Sequence, residues 1–121
     1  MAILSASTLM HDNVVNPQGE HLGDIKDFMI DTENGRVVYA VLSFGGLWGL
    51  GDKLFALPMD AFRVDTQRER FVTDLRKDQL ENAPGFDKDN WPKTAEQRDF
   101  VDRIYSHYGF EPYYERDLVT A

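Results

Sequence analysis

Asn34-Gly35-Arg36-Val37-Val38-Tyr39-Ala40-Val41-Leu42-Ser43-Phe44 is the stretch that decides how the chain folds. Asn-Gly is the strongest short-range hairpin signal, because both residues tolerate the positive φ that a tight turn between twisted strands requires. Val37 to Leu42 then runs apolar without a break. Such a run has no solvent face, so it reads as a central strand covered on both sides. Its hairpin partner is Leu22 to Asp31, rich in β-formers but with the alternation broken at Phe28-Met29-Ile30. A bulge, or burial on both faces, accounts for that break.

Further strands extend outward from this hairpin. Asn16-Pro17-Gln18-Gly19 is a tight-turn signal upstream, with Pro fixing φ and Gly accepting a positive one. Downstream, Gly45-Gly46-Leu47-Trp48-Gly49-Leu50-Gly51 interrupts the apolar run before a strand at Leu54 to Leu57. Pro58 cannot donate to a ladder and belongs at a strand end or an edge. Phe62 to Asp65 and Phe71 to Leu75 form a last hairpin across Thr66 to Glu69. Residues 27–38 and 61–72 echo one another at an offset of 34, sharing Phe28/Phe62, Asp31/Asp65, Thr32/Thr66, Arg36/Arg70 and Val38/Val72. Two copies do not make a solenoid. The echo reads as two hairpins with one turn chemistry, Asp-Thr closing a strand and Arg opening the next.

After residue 76 the period changes. Lys77 to Ala83 suits two helical turns that Pro84-Gly85 stops, and Asp87 to Pro92 reads as a loop. Thr94 and Gln97 have capping-box spacing ahead of a helix to about His107, with Gly109 placed to end it. Phe100, Val101, Ile104, Tyr105 and Tyr108 share one face of that helix. Eight of the 15 aromatic residues fall within residues 86–114, so this extension is built to dock on something.

Composition narrows the function. With 13 basic and 21 acidic residues the net charge is −8, and no basic run offsets it. An acidic surface repels phosphate backbones and anionic lipid, so direct nucleic-acid binding and membrane docking are not expected. No stretch reaches the roughly 20 apolar residues of a membrane helix, and no signal peptide is visible, which points to the cytoplasm. The absence of cysteine removes disulfides, thiolate nucleophiles and Cys-ligated zinc.

Motifs for chemistry fail one by one. His11, His21 and His107 lack metal spacing. Asp87-Lys88-Asp89-Asn90 opens like a calcium loop, but its fifth, sixth and twelfth positions hold Trp91, Pro92 and Arg98. The glycine-rich 45–51 leads into a strand, whereas a phosphate loop opens a helix. Its Leu47, Trp48 and Leu50 either pack back on the fold or serve as contact points. No catalytic residue, metal or cofactor is expected, and the chain reads as non-enzymatic.

The order and spacing of several pieces resemble the PRC-barrel family. They are Asn16-Pro17-Gln18-Gly19-Glu20 with Leu22-Gly23-Asp24-Ile25, Gly35 to Gly46, Gly49-Leu50-Gly51-Asp52-Lys53 and Ala56-Leu57-Pro58. Asp78-Gln79-Leu80, Ala83-Pro84-Gly85-Phe86-Asp87 and Trp91-Pro92 resemble stand-alone bacterial members. The resemblance implies a small, strongly bent β-barrel of about six strands, used for docking and not for catalysis. The family includes the cytoplasmic part of a photosynthetic reaction-centre subunit and the C-terminal domain of a ribosome-maturation factor. Only fold and docking style carry over from them.

The expectation is therefore mainly β: a barrel over 1–76 with a helical extension over 77–121, packed on the barrel or on a partner subunit. A protein partner is expected, foremost a second copy in a homodimer. The contact residues are expected to be Leu47, Trp48, Leu50, Phe100, Ile104, Tyr108, Tyr113 and Tyr114. An accessory factor docking a basic protein of a ribosome or ribonucleoprotein is the alternative. A small-ligand binder or enzyme with a pocket between barrel and helix is the third.

Overall fold

The Asn34-Gly35 turn forms with Gly35 at φ 63°. It joins two strands that pair antiparallel from Asp24↔Ser43 to Asp31↔Arg36. The computed structural model describes residues 3–10, 12–43 and 53–112. Within them lie β1 (Asn13–Val15), β2 (His21–Asp31), β3 (Arg36–Ser43), β4 (Lys53–Pro58), β5 (Arg63–Asp65), β6 (Arg70–Val72) and β7 (Gly85–Asp87). Three helices accompany them: α1 (Ala6–Leu9), α2 (Lys77–Glu81) and α3 (Gln97–Tyr108). The strands make one sheet in the order β5-β6-β1-β2-β3-β4-β7.

The mainly β fold forms, but not as the strongly bent barrel of about six strands that the resemblance implied. The sheet has seven strands and is open, with β5 and β7 at its edges and no pairing between them. The seventh strand comes from residues 85–87, which sequence divided between a helix stop and a loop. Gly85 explains its position. A Cβ there would sit 2.4 Å from the Leu54 carbonyl oxygen, so only glycine lets the chain lie this close to β4. Once β7 occupies the free edge of β4, β5 cannot close the sheet onto it. The parallel pairing of β1 with β6, through Val14↔Phe71, was also not legible in sequence.

The central strands are buried on both faces, as their unbroken apolar runs require. On one face Ala40, Leu42, Phe55 and Leu57 pack with Val14, Leu22, Ile25, Phe71, Leu80 and Ala83. The cluster draws on five strands and α2, so the sheet curls around it. Phe71 touches Phe28 and Phe62, at ring-centroid distances of 6.0 and 5.5 Å. On the other face Tyr39, Val41, Leu54 and Ala56 pack against Phe100, Val101, Ile104 and Tyr105 of α3. Each fully buried side chain of this size contributes roughly 1.5–3 kcal/mol.

The break at Phe28-Met29-Ile30 reflects burial on both faces, with Phe28 packed on one cluster and Met29 on the other, and the β2–β3 ladder itself has two irregularities. The register shifts between Ile25 and Asp27, and again where Ile30 pairs with Val37 and skips Val38. The extra residue at the second bulge explains why the adjacent Val38 and Tyr39 join the same cluster.

Helix ends follow a modified pattern. The expected Thr94–Gln97 box is replaced by a 3-10 turn at Thr94–Glu96, where the Lys93 amide donates to Glu96 Oε1 at 3.1 Å. Gly109 closes α3 at φ 78°, and the Phe110 amide reaches back to the Tyr105 carbonyl at 2.9 Å.

The internal echo is two copies of one turn. In each, an aspartate oxygen accepts from the amides two and three residues on: Asp31 from Glu33 and Asn34, Asp65 from Gln67 and Arg68. In each, the aspartate pairs across the ladder with the arginine opening the next strand, Arg36 or Arg70.

Candidate functional site

Three of the residues expected to meet a partner are engaged within the chain. Phe100 is 5% exposed and Ile104 fully buried beneath α3. Phe100 stands edge-on to Tyr39 and to Phe86, both at 5.7 Å. Tyr105 anchors the same face by donating its hydroxyl to the Val38 carbonyl at 2.8 Å. Tyr108 packs against the inner cluster, and its buried hydroxyl has no hydrogen-bond partner among the described residues. The aromatic stripe of α3 therefore holds the helix on its own sheet. Leu47, Trp48, Leu50, Tyr113 and Tyr114 lie outside the described residues.

Two apolar features remain on the surface of the sheet. Ile30 and Val37, 57% and 37% exposed, are cross-strand partners near the tip of the β2–β3 hairpin. Val64, 40% exposed, is the middle residue of the edge strand β5. Sequence reasoning missed all three. No local pattern marked Ile30, because the register shift beside it lies in β3, where Val38 is the residue skipped.

Ile30 opens onto a groove of about 660 Å³ between the hairpin and the start of α3. Its apolar lining is Met29, Ile30, Val38 and Val101, and Asp31, Glu33 and Arg98 bring charge to it. A pocket between sheet and helix was the feature the third reading required. The polar groups here already have structural tasks. Tyr39 donates its hydroxyl to Gln97 Oε1 at 2.8 Å, Gln97 donates to the Pro92 carbonyl at 3.0 Å, and Asp31 holds its own turn. Burial pushes the Tyr39 hydroxyl up to about 12, against the opposing pull of the Gln97 bond, so it stays neutral near pH 7.

Elsewhere the electrostatics are those of a solvated surface. Burial first, and then the charge of Glu69, raise the Asp12 carboxyl. The Arg68 amide leads the interactions that lower Asp65, offset in part by burial. His21 and Asp24 form an exposed pair at 3.1 Å. Among the described residues no three His, Asp or Glu side chains gather where they could hold a metal ion. No helix among them is long and apolar enough to cross a membrane.

Comparison with known proteins adds one finding. A family model for the PRC-barrel domain matches residues 1–80. No curated protein matches the chain.

Proposed function

The chain belongs to the PRC-barrel family, and on that premise we propose that it is a non-enzymatic protein-docking module that also associates with itself. The observation that carries the reading is the exposed Ile30–Val37 pair beside the groove at α3. An exposed apolar pair next to a partly apolar, charge-edged groove is the pattern of a contact surface, with an apolar centre and a polar rim. Tyr39, Gln97 and Asp31 support docking over catalysis, because each is already committed to a hydrogen bond within the fold.

The acidic composition supports a second reading of the same surface, a basic protein of a ribonucleoprotein assembly as the partner. The two readings separate by salt, since acidic–basic docking weakens as ions screen it and apolar contact does not. The test is affinity capture with the wild type, Ile30→Lys and the control Ile3→Lys, each run at low and high salt. The docking reading expects a retained partner that only Ile30→Lys loses. Equal capture by all three proteins refutes it, and capture lost at high salt selects the basic partner.

A further inference from the structure

Among the described residues β5 is unpaired on one side, and its three residues, Arg63-Val64-Asp65, are self-complementary in charge. When two such strands pair antiparallel about a two-fold axis through Val64, Arg63 of each faces Asp65 of the other and Val64 faces Val64. A two-fold interface repeats every contact, so this register supplies two opposite-charge pairs around an apolar centre. The other edge, β7, reads Gly85-Phe86-Asp87 and has no such symmetry. We propose that the chain forms a two-fold homodimer by pairing β5 with β5 of a second copy. The inference rests on the self-association in the reading above and gives it a location.

Three further observations support this edge. Val64 is 40% exposed although its ladder partner Phe71 is completely buried. The partner's Val64 would cover what the fold itself leaves open. A chain of net charge −8 repels its own copy over most of its surface. Around β5, however, Arg63, Arg68 and Arg70 offset all but one of the charges of Asp60, Asp65, Glu69 and Asp74, so close approach meets less repulsion here than the net charge implies. A pocket of about 340 Å³ lined by Asn16, Pro17, Arg63, Asp65, Arg70 and Val72 flanks the strand and gives room for a partner's side chains.

Existing ion pairs do not block the exchange. Arg63 meets Asp74 at 3.1 Å, but both side chains are largely exposed, and such a surface pair holds its partners only weakly. Asp65 keeps its turn through Oδ1. Its Oδ2 lies 3.4 Å from Arg70 Nε, within ion-pair range but without hydrogen-bond geometry.

The test is sedimentation equilibrium on the wild type, Val64→Lys, Val64→Glu and an equimolar mixture of the two variants, with circular dichroism to confirm folding. The expected result is a wild-type dimer, at least tenfold weaker association for each variant alone, and recovery in the mixture, where lysine faces glutamate across the axis. Should the Val64 variants fail to fold, Arg63→Glu sets a carboxylate opposite Asp65 at both repeats of the interface and should weaken the dimer similarly. A wild-type dimer that the variants leave unchanged overturns the β5 interface but keeps self-association. A monomer at every concentration overturns both.

Discussion

The two hairpin turns, 32–35 and 66–69, share their aspartate cap and closing arginine but differ where the backbone turns left-handed. Gly35 takes φ 63° in one, and Glu69 takes φ 51° in the other. An L-residue in this region suffers roughly 1–2 kcal/mol of crowding that glycine avoids. Glycine gives back roughly 0.5–1 kcal/mol through its greater freedom in the unfolded chain. Glu69→Gly should therefore stabilise the protein by about 0.5–1 kcal/mol, raising the melting temperature by about 2–5 °C for a domain of this size. Glu69→Ala is the control, because it removes the repulsion with Asp12 and keeps the strain. Gly35→Ala should do the reverse and cost about 1 kcal/mol. Reversible thermal melts, with urea titrations checked for a constant slope, measure all three. The reasoning is refuted if Glu69→Gly is no more stable than Glu69→Ala.

Other outcomes follow from single contacts. Gly85→Ala places a Cβ against the Leu54 carbonyl and should cost about 1–3 kcal/mol in urea unfolding; wild-type stability would mean β7 does not lie on β4 as described. Tyr105→Phe bares the buried Val38 carbonyl and should cost about 1–2 kcal/mol, whereas Tyr108→Phe removes a hydroxyl without a partner and should be neutral or stabilising. The same urea series compares them, and equal losses would count against this bonding pattern. Tyr39 ionises at 10.0 as an ordinary tyrosine and at about 12 in the fold, so the folded state holds its proton more tightly. That contribution is complete below pH 10 and disappears as pH rises through 10 to 12. Tyr39→Phe should flatten the loss in alkaline unfolding curves, and parallel curves would contradict the assignment.

Local signals carried much of this fold. The Asn34-Gly35 turn, the two-sided burial of residues 38–42 and of Phe28 and Met29, the repeated Asp-Thr turn and the Gly109 stop all act over a few residues, so sequence displays them. The parallel β1–β6 pair joins residues 57 apart, as Asn13↔Arg70, and no local pattern specifies it. The strand at 85–87 is three residues long, and Gly85 looks like a turn signal until the closeness of Leu54 gives it another purpose. The proposed docking surface was the least legible part. An aromatic helix face looks the same whether it covers its own sheet or a partner's. In the folded chain Phe100 and Ile104 belong to the first case. Ile30 and Val64 reach the surface near a hairpin tip and on an edge strand, positions that only the assembled sheet defines.

Hydrogen exchange at two protein concentrations, far below and far above the association midpoint, reads the contact surface directly. The account predicts that concentration slows exchange in peptides covering β5 at residues 63–65 and leaves α3 at residues 97–108 unchanged. Slowing confined to α3, or to no segment at all, would contradict it.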